Sequence, residues 1–302
     1  FEAIFMLAFR GQNFYRGIVL NEELGFQKDT AYELLENPRY NWRQFLLKLA
    51  MKIIVVLDLL TSEERERVLV VDDSDYDRTR SKKVELLAKI FDHNSRKYLK
   101  GFKLLTLGWG DGVTFLPLDF VLRSSAKAIN RIQGITKTLD KRTCGYKRRI
   151  EAMTKSTDAL EVMVKRVMAL GVRADYILMD SWFCFASLIR KLSAHLPVIC
   201  MAKDLNSNFY QYRGESLRLG RLYQQLKKRP GRAKVLASIV LPMVNGPLVK
   251  LVFVRNRNGR GWLALLSTDT TLPDDEIIRI YGKRWDIEVF FKMAKHHLNL
   301  ER

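Results

Sequence analysis

The 302-residue chain has little with which to build a disulfide framework or a metal cluster: it contains 3 Cys and 4 His. Cys144, Cys184 and Cys200 are odd in number and scattered, with no CxxC pair, so they argue against a disulfide framework and a zinc site and for a reducing compartment. His93, His195, His296 and His297 make no metal cluster either, so any bound metal must be held by carboxylates. Long apolar runs are also missing. The longest, Phe45 to Leu60, is interrupted by Lys48, Lys52 and Asp58, whereas a membrane span needs about 20 clean residues. It reads as a buried helix, and no membrane partner is expected. The first residues, Phe1-Glu2-Ala3-Ile4-Phe5-Met6-Leu7, lack the order of a signal peptide, and the missing initial Met predicts a piece of a longer protein. Acidic residues are scarce as well, 33 Asp and Glu against 52 Lys and Arg, a net charge of +19. With 47% hydrophobic residues this is a folded chain and not a basic tail. Such an excess points to a polyanion, nucleic acid first.

The apolar pattern predicts an α/β protein. Residues 28–60 read as two helices broken at Asn37-Pro38, a unit that packs or touches DNA. Val68-Leu69-Val70-Val71 is a short apolar run of the kind buried on both faces of a sheet, ending at Asp72-Asp73-Ser74-Asp75. Phe102 to Trp109 and Val113 to Leu122 form a hairpin around Gly110-Asp111-Gly112. Residues 123–149 read as a basic loop, followed by one long helix from Arg149 to Leu170. Asp175 to Asp180 is a second buried strand ending in a carboxylate. A helix (Phe183 to Leu192) and a strand (Val198 to Ala202) come next. Residues 203–262 read as β throughout, with turns at Asn245-Gly246 and across 255–260, and one helix runs from Pro273 to Leu298. Four segments result: helical 1–64, first core part 65–202, β-rich basic insertion 203–262 and second core part 263–302.

Two buried strands therefore end in aspartates, Asp72 or Asp73 on one and Asp180 on the other, at the sheet edge where ligands bind. Taken singly, such an aspartate is more often a turn or helix cap. The last helix adds Tyr281, Arg284, Glu288 and Lys295, at offsets 0, 3, 7 and 14. At about 100° per residue they share one stripe about 60° wide. A solvated face with an Arg–Glu pair is the plain explanation. Ile280, Trp285, Ile287, Phe290, Phe291 and Met293 on the other sides oppose it, because they imply a packed helix.

Tyr-x2-Arg-x3-Glu-x6-Lys resembles the YREK signature of DDE transposases of insertion-sequence family four. The surrounding Tyr281-Gly282-Lys283-Arg284-Trp285-Asp286-Ile287-Glu288, Val71-Asp72-Asp73-Ser74, Gly108-Trp109-Gly110-Asp111-Gly112 and Leu178-Met179-Asp180-Ser181 are similar to that family too. The resemblance covers nearly the whole chain and implies a ribonuclease-H-like catalytic core interrupted by a β-rich insertion before the glutamate helix. It implies a triad of Asp72, or Asp73 one step later, with Asp180 and Glu288, holding two Mg²⁺ that Mn²⁺ can replace. It implies Tyr281, Arg284 and Lys295 on DNA phosphates, nicking at the ends of a transposon, and transfer of the 3′ ends into target DNA. A homodimer on double-stranded DNA, a cytoplasmic, nucleoid-associated location and truncation at both ends also follow from it. Trp182, Trp262 and Trp285 could stack on an extruded base, but burial is the expected state of large aromatics. His296-His297, beside Lys295, could reach phosphate or simply be solvated. A DNA-binding remnant without catalysis and a different metal-dependent nuclease of the same fold are the alternatives.

The charge is localised. Residues 203–262 hold 13 Lys and Arg against 2 Asp and Glu, and residues 123–155 hold 10 against 2; their net charges of +11 and +8 account for the whole +19. Both segments are expected to track phosphates beside the site.

Overall fold

The computed structural model describes residues 1–302 except 22, 63, 93–94, 257–260, 299 and 301–302; the reading of His93 and most of the 255–260 turn lie outside the described residues. Helices α1 (Glu2–Phe9), α2 (Lys28–Glu36) and α3 (Trp42–Leu60) precede strands β1 (Val68–Asp77), β2 (Ala88–Asp92), β3 (Lys97–Gly110) and β4 (Phe115–Arg123). The chain continues through α4 (Cys144–Glu151), α5 (Ser156–Ala169), β5 (Tyr176–Met179), α6 (Ala186–Ser193) and β6 (Val198–Ala202). Then come β7 (Tyr210–Tyr212), β8 (Glu215–Leu217), α7 (Leu219–Gln225), β9 (Val235–Pro242), β10 (Leu248–Arg255) and β11 (Trp262–Ser267). Helices α8 (Asp274–Gly282) and α9 (Trp285–His297) close the order.

Among the described residues one mixed sheet of nine strands runs β2-β3-β1-β5-β6-β11-β10-β9, with β4 also on β3. Strand β1 is antiparallel to β3 and parallel to β5, which is parallel to β6. The architecture is mixed α/β, the class expected. The strands of segment 203–262 continue this sheet: β11 pairs with β6, β10 with β11, and β9 with β10. That segment is not β throughout. Leu219–Gln225 is helical because Leu219 and Leu222 turn the same way into the core.

Alternation along β1 sorts the core into two layers. Leu69 and Val71 face Leu47 of α3, Leu160 and Val164 of α5 and Ile189 of α6. Val68 and Val70 face Ile277 and Ile280 of α8 and Ile287 and Phe291 of α9. At about 1.5–3 kcal/mol for each fully buried side chain, these four residues fasten the carboxyl-terminal helices to the sheet.

Four elements depart from the sequence reading, each through a tertiary partner. Strand β1 does not stop at Asp72: β3 pairs with it from Val68↔Gly110 to Asp77↔Gly101. The helix expected over 149–170 is two, because the Ser124 amide donates to the Ala152 carbonyl at 2.8 Å and closes α4. Helix α4 begins at Cys144, inside the expected loop, where Thr143 accepts from the Tyr146 amide. The helix expected from Pro273 breaks at Lys283–Arg284. There the amides of Arg284 and Asp286 bond three residues back, to Tyr281 and Lys283, at 3.0 and 3.2 Å, a 3₁₀ tightening that the weak helix former Gly282 admits. Helix α3 is buried only along Leu47, Ala50 and Ile54, and Leu59 is 82% exposed. No helix among the described residues is long and apolar enough to cross a membrane.

A β-carbon on Gly101 would lie 2.2 Å from the Tyr76 carbonyl oxygen, whereas one on Gly134 would meet nothing within 4 Å. In urea unfolding, Gly101→Ala is expected to cost about 1–3 kcal/mol and Gly134→Ala to stay within about 0.5 kcal/mol of wild type.

Candidate functional site

The last residue pair of the parallel β1–β5 ladder is Val71↔Met179. The next residues, Asp72 and Asp180, therefore stand side by side where the two strands part, β1 continuing against β3 and β5 ending, in a sheet whose strands stand about 4.8 Å apart. Asp72 shares the face of Val70, beneath α9, and Asp73 faces the other way. Asp180 starts the short 3₁₀ turn Ser181–Phe183, which takes the chain out of the sheet.

Arg284, at the helix break, reaches this edge. Its Nη1 donates to Asp72 Oδ2 at 3.2 Å, and its Nη2 donates to Glu288 one turn along α9. The arginine side chain is 12% exposed. Asp72 Oδ1 also accepts the Asp73 amide at 2.8 Å. Burial pushes the Asp72 carboxyl up to about 7; Arg284 and the Asp73 amide oppose that rise, and the charges of Asp73 and Asp180 add to it. The Tyr281 hydroxyl is buried beside Arg284. Burial raises its pKa, Arg284 opposes the rise and Asp180 adds to it, and the Arg284 guanidinium lies 5.8 Å from the ring centre.

The structure thus joins Asp72, Arg284 and Glu288 directly, with Asp180 and Tyr281 alongside. Asp73 lies on the opposite face, where its charge acts on Arg123. Lys295 donates to the Asp75 carbonyl at 3.2 Å, further along β1. Of the tryptophans, Trp262 packs on Tyr223 and Phe253 with ring centres 4.5 and 5.2 Å away. Trp182 and Trp285 are 49% and 61% exposed, contrary to the burial expected of them, because each sits where the chain turns out of the sheet or into a helix. His296 and His297 are exposed.

No three Asp, Glu, His or Cys side chains among the described residues converge as a metal-holding group; the Arg284 guanidinium contacts both Asp72 and Glu288. The donor set nevertheless suits a hard divalent cation, offering carboxylate oxygens. Burial is the chief cause of the raised proton affinity of Asp72, and the charges of Asp73 and Asp180 add to it.

Sequence reasoning missed Lys283. Its Nζ donates to the Glu66 carbonyl at 2.7 Å, to Glu66 Oε2 at 3.0 Å and to the Asp111 carbonyl at 3.3 Å. Arg279 and then Lys283 hold the Glu66 carboxyl down to about 2 against the opposing effect of burial. The stem of Lys283 lies on Gly112, where φ is +91° and a β-carbon would sit 3.2 Å from Lys283 Cε. One more lysine in so basic a chain carries no signal; Gly112 in the hairpin turn was the available hint.

Much of the basic charge is spent inside the protein. Arg149 pairs with Glu85, Arg148 donates to the Phe120 carbonyl, and Arg131 donates to the Ser125 carbonyl. Lys250 pairs with Asp274, and Arg255 donates to the carbonyls of Gly231 and Ala233. The exposed remainder includes Lys227, Lys228 and Arg232 in the loop before the edge strand β9.

A family model described as DDE superfamily endonuclease matches residues 6–235, a span that includes Asp72 and Asp180 and stops before Tyr281. No curated protein matches the chain. Among solved structures, the NurA nuclease from Sulfolobus solfataricus is similar at 10% identity and a TM-score of 0.34, over 79% of this chain and 85% of that one. The Drosophila P element transposase strand transfer complex is similar at 11% identity and a TM-score of 0.20, over 56% of this chain and 37% of that one. Likeness that low carries no argument about function.

The Asp72 carboxyl titrates near 7 in the folded chain, against about 3.9 when unfolded. Ionising it therefore costs stability progressively between about pH 4 and 7, by up to about 4 kcal/mol above that window. In EDTA, Asp72→Asn is expected to gain in Tm over wild type as pH rises from 5 to 7.5, with the gap constant thereafter. A gap independent of pH would show that burial does not hold this carboxyl up.

Proposed function

Because the chain belongs to the DDE superfamily endonuclease family, we propose that Asp72, Asp180 and Glu288 form one catalytic centre for cutting DNA. In this reading the protein nicks the ends of an insertion sequence and transfers the 3′ ends into target DNA, as the YREK resemblance implies. The observation that carries it is the β1–β5 register, which sets Asp72 beside Asp180 beneath the helix of Glu288. The antiparallel β1, β3 and β4, followed by parallel β5 and β6, support a ribonuclease-H-like core.

The three carboxylates would hold two Mg²⁺, with Mn²⁺ able to substitute. When bound, such a pair activates an attacking water or 3′-hydroxyl and steadies the leaving oxygen. The chain's own groups bind and orient the phosphodiester. The buried Tyr281 hydroxyl offers a donor, Arg284 a bidentate fork and Lys295 a point charge. The exposed cations before β9 lie at one side of the sheet and those of 123–155 beyond β4 at the other, so both flank the centre and would track a duplex. Joining two ends calls for a homodimer.

A second reading, a metal-dependent nuclease without strand transfer, is supported by the family match, whose description is that of an endonuclease.

With a labelled end duplex and Mg²⁺, wild type is expected to cut at the end. Glu288→Gln and Asp180→Asn are expected to lose about 10²-fold or more of that rate while keeping DNA affinity. Cutting without end preference would favour the nuclease, and binding without cutting a remnant. Replacing Lys227, Lys228 and Arg232 together with Ala should lower the log–log salt slope of DNA binding by about 2–3. An unchanged slope would place the duplex elsewhere.

A further inference from the structure

We propose that Arg284 gates the carboxylates: in the free protein its guanidinium occupies the place between Asp72 and Glu288, and a DNA phosphate draws it away and frees them. The inference rests on the preceding reading of the three acids and adds an order of events to it.

The geometry is that of a bridge. One guanidinium nitrogen contacts Asp72 Oδ2 at 3.2 Å, the other contacts Glu288, and the side chain is 12% exposed. A divalent cation would draw on the same two carboxylates, and the positive guanidinium between them would repel it and occupy one oxygen of each.

The backbone beneath the bridge is fixed while the side chain is long. Lys283, one residue earlier, is tied to Glu66 and Asp111 by three hydrogen bonds, so release falls to the Arg284 side-chain torsions. A phosphate is the suited competitor. It accepts both arms of the fork at once, and the Tyr281 hydroxyl, buried next to Arg284, supplies a further donor. DNA and metal then help each other to bind, and free metal affinity is reduced by the fraction of molecules in which the bridge is closed.

The test is Mn²⁺ binding to the whole chain, followed by the electron paramagnetic resonance of free Mn²⁺, with Asp180→Asn as background. Without DNA, Arg284→Gln is expected to bind Mn²⁺ about tenfold tighter than wild type. A 30-base-pair duplex, corrected for its own Mn²⁺ uptake, should raise wild type towards the variant and leave the variant within about twofold. If Arg284→Gln does not fold, Arg284→Lys, which cannot span both carboxylates, should show a smaller gain of about threefold. Equal affinity of wild type and a folded variant would overturn the gate while leaving the three-acid centre standing. No binding above background by either chain would overturn both.

Discussion

Every feature of the candidate centre depends on where the parallel ladder between β1 and β5 ends. Because it ends at Val71↔Met179, two carboxylates stand side by side where β5 parts from β1, with a helix overhead. Placing Asp72 there is costly. It is largely buried, it lies near two other aspartates, and its proton affinity rises to about 7. A site that concentrates negative charge against an apolar layer must be given a cation, and in the free chain that cation is Arg284. In this centre, then, burial creates the demand and the register decides which residues feel it.

The second constraint is the break between α8 and α9. An unbroken helix would carry Tyr281, Arg284, Glu288 and Lys295 along one straight stripe. The tightened turn at 283–284 instead places Arg284 at the start of α9 while Ile287 and Phe291 pack on the sheet. Lys283 anchors the turn to Glu66, just before β1, and to Asp111, in the β3–β4 turn. The turn that presents Arg284 is thereby tied to the strand that presents Asp72. The stripe survives for Tyr281, Arg284 and Glu288, and Lys295 is carried past the carboxylates to the Asp75 carbonyl.

Local chemistry made part of this legible. Four β-branched or aliphatic residues before Asp72, and a similar run before Asp180, predict buried strands, and Gly110-Asp111-Gly112 predicts the hairpin. All three are present. The choice of Asp72 over Asp73 as the residue facing α9 needs only the two-residue period of a strand, once its inner face is known. Other features were not local. β1 extends to Asp77 because β3 is there to pair with it, and α4 stops because Ser124 takes the Ala152 carbonyl. Neither partner is signalled by the residues it acts on. Net charge locates the basic segments but does not show that a few of their cations, Arg148, Arg149 and Lys250 among them, are taken up by carboxylates and a carbonyl of the chain itself. The exposed loop before β9 and the exposed lysines of 123–155 remain for a polyanion.

The most direct measurement of the three-acid centre is cleavage of the polypeptide by bound iron. Fe²⁺ replaces Mg²⁺ among oxygen ligands, and with ascorbate and peroxide it generates radicals that cut the backbone nearby. If Asp72, Asp180 and Glu288 hold the same ions, fragments will map to all three neighbourhoods and vanish together in Glu288→Gln. Cuts confined to one of the three, or persisting unchanged in that variant, would contradict a shared centre.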